Sequence, residues 1–166
     1  MLRRIGGGAY GEVYLVRSVT GRYRALKIVR REDFELDRTF EREFQGIERY
    51  ETVSKDHHSL VDILHVGREG DEFYYYVMEL ADGIDGTTSD QLSDPDSYEP
   101  RTLSHDIAKH GPRSIDDCIL LGRSLSDGLA HLHAAGLTHR DVKPSNIIYV
   151  EGQPKLADIG LVAATG

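Results

Sequence analysis

The chain has 166 residues, enough for one domain with its own core, and carries 39% hydrophobic and 29% charged residues with a net charge of −8. That balance places it among soluble globular proteins and argues against non-specific nucleic-acid binding as its main task. No apolar run is long enough to span a membrane and no signal peptide precedes the first motif; the single Cys118 excludes an internal disulfide framework and fits a reducing, cytoplasmic compartment.

The first segment, Leu2 to Val16, sets apolar residues around a glycine-rich turn with Val13 and Leu15 in alternation, which predicts strand, glycine loop, strand. Thr20-Gly21-Arg22 is a turn, and Tyr23 to Val29 alternates as a third antiparallel strand. From Asp33 to Tyr50 the period becomes helical, with Phe40, Phe44 and Ile47 on one face. Val61 to Val66 and Phe73 to Leu80 read as two more strands around a hairpin turn at Glu69-Gly70-Asp71, with Tyr74-Tyr75-Tyr76 as strand packing. The expected N-terminal unit, residues 1–81, is a five-stranded antiparallel sheet with one helix.

Residues 82–113 form the next segment, and from Ala81 to about Pro100 the composition shifts to Asp, Gly, Ser and Thr. Asp82, Asp85, Asp90, Asp94, Asp96 and Glu99 read as a solvated acidic loop, followed by a short helix over Leu103 to Lys109. Residues 114–166 begin with Ser114 as an N-cap and Asp117 at the capping-box position. Ile115, Cys118, Ile119, Gly122, Leu125, Leu129 and Leu132 form one apolar stripe, with Cys118 read as a core thiol and Gly136 as the C-terminal stop. Ile147 to Val150 and Pro154 to Ala157 predict a hairpin leading into Asp158. The fold class is α+β.

Three features carry chemistry. Gly6-x-Gly8-x-x-Gly11 lacks the Lys-Ser/Thr tail of a P-loop. A strand follows it rather than the helix of a dinucleotide fingerprint, yet its glycines let backbone N–H groups approach phosphates. Lys27 lies between Leu26 and Ile28 in an apolar strand. If it faces inward it needs a partner, Glu43 or alternatively Glu41 on the next helix; a surface lysine is the competing reading. Asp141, Lys143 and Asn146 share a segment that Pro144 keeps from being helical, with Asp158 close behind. Asp141 can accept a hydroxyl proton, Lys143 can neutralise a phosphoryl group, and Asn146 and Asp158 are hard oxygen donors of the kind Mg²⁺ takes. His57-His58 and His131-x-His133 are read as packing or exposed histidines rather than metal ligands.

In order, these stretches resemble a eukaryotic-type serine/threonine protein kinase catalytic domain, and the likeness extends over essentially the whole chain. Ile5 to Val13 resembles the glycine-rich loop over ATP, Ala25-Leu26-Lys27 the strand-three lysine motif, and Glu43 the glutamate of the αC helix. Val77-Met78-Glu79-Leu80-Ala81 is similar to gatekeeper and hinge. His139 to Asn146 is similar to the catalytic loop, and Asp158-Ile159-Gly160 stands where the family has DFG.

The resemblance implies a two-lobed fold, ATP and Mg²⁺ as cofactors, and Ser/Thr hydroxyls of a protein as acceptors. It implies that Met78, Glu79 and Ala81 frame the adenine and that Val13, Ala25 and Ile148 sandwich it. Ile47, Leu64, His139 and Ile159 are expected to stack between the lobes. Lys143 implies the serine/threonine branch, Arg140 control by a phosphorylated activation loop, and the general style bacterial rather than animal members. Ile159 departs from the usual Phe. No APE motif or later C-lobe helix is present, so the resemblance further implies a fragment of a longer protein, inactive by itself. A nucleotide-binding pseudokinase or scaffold module and a small-molecule kinase of the same fold are the alternatives.

Overall fold

Alternating apolar and polar residues over the first eighty positions build one antiparallel sheet. In the computed structural model, which describes residues 2–8, 11–158 and the backbone of 163–164, its strands are β1 (Arg3–Gly7), β2 (Glu12–Arg17), β3 (Tyr23–Arg30), β4 (Ile63–Glu69) and β5 (Phe73–Met78). Their order is β1-β2-β3-β5-β4. On β3 the inward face is Ala25, Lys27 and Val29, all buried, so the pleat carries Lys27 into the interior and the surface-lysine reading is excluded. Tyr74 and Tyr76 point to the same core from β5 and are fully buried.

The helix α1 (Asp37–Ser54) lays Phe40, Glu43, Ile47 and Tyr50 against that core. It starts four residues later than the periodicity predicts. Arg31–Asp33 forms a 3₁₀ turn, and Phe34 stays extended with its ring 5.6 Å from Phe40. The strand expected from Val61 also starts late, because Ser59 to Val61 pairs elsewhere. Val61 N–H donates to Leu156 at 3.0 Å and Leu156 N–H to Ser59 at 2.8 Å. A register shift between Ile63 and His65 then turns Leu64 outward, 42% exposed, which corrects the expectation that it stacks between the lobes.

The acidic stretch has more structure than its composition suggests. Asp82 is buried, not solvated: its two carboxylate oxygens accept the N–H groups of Glu151 and Gly152 at 2.9 and 2.8 Å. The helix α2 (Leu103–His110) is capped by Thr102, whose hydroxyl accepts from His105 N–H at 3.1 Å.

Ser114 caps α3 (Ile115–Ala134) as expected, accepting from Asp117 N–H at 3.1 Å and donating to its carboxylate at 2.7 Å. The lower half of the helix is packed. Leu125 and Leu132 are buried, and a Cβ on Gly128 would meet the Ser59 side chain at 3.2 Å. The upper half is not: Ile115 is 78% and Ile119 54% exposed, and Cys118 is exposed rather than a core thiol. After α3 come β6 (Leu137–Thr138), the hairpin β7 (Ile147–Val150) and β8 (Gln153–Leu156), and β9 (Ala163–Ala164), which pairs with β6.

Candidate active site

A cleft of about 330 Å³ separates the sheet from the β7–β8 hairpin. Ile5, Gly6, Gly8, Val13, Ala25 and Lys27 line its roof, Met78, Glu79 and Ala81 its rear, and Lys143, Asn146, Ile148 and Asp158 its floor. These are residues singled out from the sequence, drawn together from segments more than a hundred positions apart. Gly11 is not in the wall. Its φ is +94°, and a Cβ there would come within 2.3 Å of the Ile28 carbonyl oxygen, so close packing of the turn on β3 demands glycine. Tyr98, Pro100 and Thr102 also line the cleft. The sequence reading passed over them, although an aromatic residue and a proline amid acidic and small residues were a usable signal.

The floor is built by local hydrogen bonds. Pro144–Asn146 forms a 3₁₀ turn, with Asn146 N–H donating to the Lys143 carbonyl at 2.9 Å. The Asn146 amide nitrogen donates to the Asp141 carbonyl at 2.9 Å and to its carboxylate at 2.8 Å, and the Lys143 ammonium donates to the same carboxylate oxygen at 2.7 Å. The Lys143 bond chiefly holds the Asp141 carboxyl below its usual range; burial opposes it, and the Asn146 bond adds to the lowering. Asp141 is therefore an ionised acceptor at neutral pH and a weak base.

His139 joins this loop to Asp158. It is buried, its Nε2 donates to the Ala157 carbonyl at 3.0 Å, and its Nδ1 accepts Asp141 N–H at 3.4 Å. Those two roles require the neutral ring with the proton on Nε2, and burial accordingly pushes its pKa down. Ala157 N–H donates to the Asn146 carbonyl at 2.8 Å, which sets Asp158 beside Asn146. Arg140 and Asp158 take φ values of 65° and 58°, conformations that non-glycine residues adopt only when their surroundings impose them.

The roof is less settled. The Lys27 ammonium pairs with the Asp158 carboxylate, so the expected Lys27–Glu43 pair does not form in this structure. The alternative partner, Glu41, is held by Arg31 at 2.8 Å and Arg68 at 2.7 Å on the far side of α1. Glu43 is 5% exposed, and its Oε2 has no hydrogen-bond partner. Burial lifts its pKa to about 7, while the Arg140 and Lys27 charges pull the other way. A carboxyl that is substantially protonated at neutral pH attracts an ammonium weakly, and in this arrangement Lys27 pairs with Asp158 instead.

The donor set at the floor fits a hard cation. With its nitrogen committed to Asp141, Asn146 has its carboxamide oxygen left to offer, and Asp158 offers a carboxylate beside it. No group of three or more His, Cys, Asp or Glu side chains suited to a metal occurs among the described residues. The His57 ring stacks on His58 with centroids 4.8 Å apart and meets His131 at a tilt with centroids 5.2 Å apart. Ile159 and Gly160, expected to complete the DFG-like motif, lie outside the described residues. No helix among the described residues is long and apolar enough to cross a membrane.

Similarity to known proteins agrees with this geometry. The family model of the protein kinase domain matches residues 1–166. The chain is 32% identical to serine/threonine-protein kinase PrkC of Bacillus subtilis over 99% of its own length and 22% of that protein. It is 30% identical to serine/threonine-protein kinase AfsK of Streptomyces coelicolor over 98% of its own length and 18% of that protein. It is 29% identical to serine/threonine-protein kinase cds1 of Schizosaccharomyces pombe over 97% of its own length and 32% of that protein. The chain thus spans about a fifth to a third of the length of these relatives. A cleft roofed by a glycine turn and a buried lysine and floored by Lys143, Asn146 and Asp158, in a chain that the family model matches over its whole length, makes this chain a member of the protein kinase domain family.

Proposed function

We propose that this domain supports transfer of the γ-phosphoryl group of ATP to serine or threonine hydroxyls of protein substrates. The observation that carries the reading is one cleft with Lys27 in its roof and Lys143, Asn146 and Asp158 in its floor, where Lys143 and Asn146 both hydrogen-bond Asp141. Adenine fits between Val13 and Ala25 above and Ile148 below, with the backbone of Glu79 and Ala81 at its edge. Gly6 and Gly8 present the glycine turn to the phosphates. Lys27 exchanges Asp158 for a phosphate oxygen when nucleotide binds, and Glu43, on the buried face of α1, is placed to steady it.

Bound at Asn146 and Asp158, Mg²⁺ would neutralise phosphate charge. Asp141 orients the acceptor hydroxyl and takes its proton. Its low basicity is tolerable because a largely dissociative transfer needs that proton removed late. Lys143 stabilises charge on the group in flight. The names of the relatives and Lys143 in the loop favour serine and threonine acceptors, and ATP as donor accords with a cytoplasmic location. The decisive experiment follows labelled phosphate from ATP to a generic protein substrate in the whole protein. Transfer should fall by about 10²–10⁴-fold in Asp141→Ala, and undiminished transfer defeats the assignment.

The Lys27–Asp158 pair and the Glu43 Oε2 left without a hydrogen-bond partner favour one other reading, a nucleotide-binding scaffold. Mg²⁺-dependent ATP binding without transfer by the whole protein would select it. Transfer to a sugar but not to protein would instead point to a small-molecule kinase.

A further inference from the structure

The segment 83–100 leaves the hinge and returns to the same place. Gly83 bridges to Pro100, and Ile84 N–H donates to the Glu99 carbonyl at 3.0 Å, so the loop is closed at its root. Below the root, buried Asp82 binds the β7–β8 turn. Near the end of the loop the chain turns back into the cleft. Tyr98 is 4% exposed, lines the cleft with Pro100, and donates its hydroxyl to the Ala81 carbonyl at 2.9 Å. A residue of the loop thus fixes a hinge residue placed at the adenine edge.

The same loop is held from above. Arg3 on β1 donates Nη1 to the Asp96 carbonyl at 2.8 Å and Nη2 to the Tyr98 carbonyl. Both bonds are charge-assisted, and the two-pronged geometry is one that only a guanidinium provides. β1 carries Ile5 and Gly6 of the roof, so one side chain ties roof to loop while Tyr98 ties loop to hinge. Arg22 and Asp90, 3.7 Å apart and both exposed, add a second and much weaker tie. Parting the roof from the hinge side of the cleft requires the Arg3 fork to break.

We propose that residues 83–100 form a latch on the nucleotide site, in which Arg3 and Tyr98 are positioning residues that set how tightly nucleotide is held and how fast it leaves. The proposal rests on the reading of the cleft as an ATP site. Arg3 holds the latch to the glycine-loop strand, and Tyr98 holds it to the hinge and supplies part of the cleft wall. Neither touches the reacting atoms.

The test measures dissociation of a fluorescent N-methylanthraniloyl derivative of ADP, with Mg²⁺, by stopped flow on the whole protein. The thermal midpoint of the nucleotide-free protein is recorded alongside. Arg3→Met removes the fork at a partly exposed site and should speed release by about tenfold, the scale of losing charged hydrogen bonds, with little change in midpoint. Arg3→Lys keeps one donor and should fall between. Tyr98→Phe keeps the ring, frees the Ala81 carbonyl, and should weaken affinity several-fold. Release from all three variants within about twofold of the unaltered protein overturns the latch while leaving the ATP site intact. Failure of the unaltered protein to bind the nucleotide overturns the ATP reading itself.

Discussion

The two sides of the cleft are complete in opposite senses. The upper side is finished as packing: β3, β5 and α1 bury Val29, Phe40, Ile47, Tyr50 and Tyr74, with Phe44 and Val53 packed partly buried against them. It is unfinished as chemistry, since Lys27 crosses to Asp158 and leaves Glu43 Oε2 without a partner. The lower side is the reverse. Asp141, Lys143, Asn146 and His139 are joined by hydrogen bonds of 2.7–3.4 Å, while the upper half of α3 leaves Ile115 and Ile119 exposed. The difference teaches that a reactive cluster within a few residues of chain assembles through its own turn. A pair that must form between a strand and a helix depends on how those elements settle.

Four changes would break or sharpen that contrast. The largest effect is expected for Asp158→Ala, which removes a cation donor on the floor and the partner of Lys27 in the roof. Phosphoryl transfer by the whole protein should drop by about 10³-fold in a labelled-phosphate assay. A loss under about tenfold would mean that the two sides do not meet at Asp158. Next comes Ile47→Ala, in the well-packed upper side. The cavity should destabilise the protein by about 3 kcal/mol, read as a lower urea midpoint.

Glu43→Gln should act in the opposite direction and with a pH signature. A carboxyl whose folded pKa is raised to about 7 binds its proton more tightly when folded. Stability is therefore fully present below the unfolded value of about 4.3 and falls as pH rises toward 7. The amide cannot ionise, so the variant should be about 2 kcal/mol more stable than the unaltered protein at pH 8 and should lose that advantage near pH 4. Equal unfolding curves at both pH values would show that Glu43 has a partner after all. The smallest effect belongs to the unpacked half of α3. Ile119→Asn should shift stability by no more than about 0.5 kcal/mol, and a larger loss would show that this face is covered.

Much of the fold was legible because its signals are local. The alternation of β3, the capping box of Ser114 and Asp117, and the proline that stops a helix at Asn146 each act within a few residues. Most of the residues named for the cleft were legible as well, since motif order fixes them. Errors arose where a neighbour distant in sequence decides the outcome. Leu64 turns outward because β4 takes a bulge against β5, and Cys118 lies on a helix face that no described element covers. Asp82 reads as solvated acid by composition, yet it is buried by the turn that needs its oxygens.

By itself the sequence determined that a proton acceptor, a cation and a hard oxygen donor occur at positions 141, 143 and 146, on a turn that cannot become an α-helix, with a second oxygen donor at 158 close behind. Hydrogen bonds between close neighbours are enough to aim them. Only the tertiary structure decided the partner of Lys27, 131 residues away in sequence, and the entry of Tyr98 into the cleft wall. Those choices follow from competition among groups far apart in sequence. Burial raises the pKa of Glu43 while Lys27 pairs with Asp158, and the Ala81 carbonyl accepts the hydroxyl of an otherwise acidic loop. No spacing of residues along the chain records the outcome of such a competition.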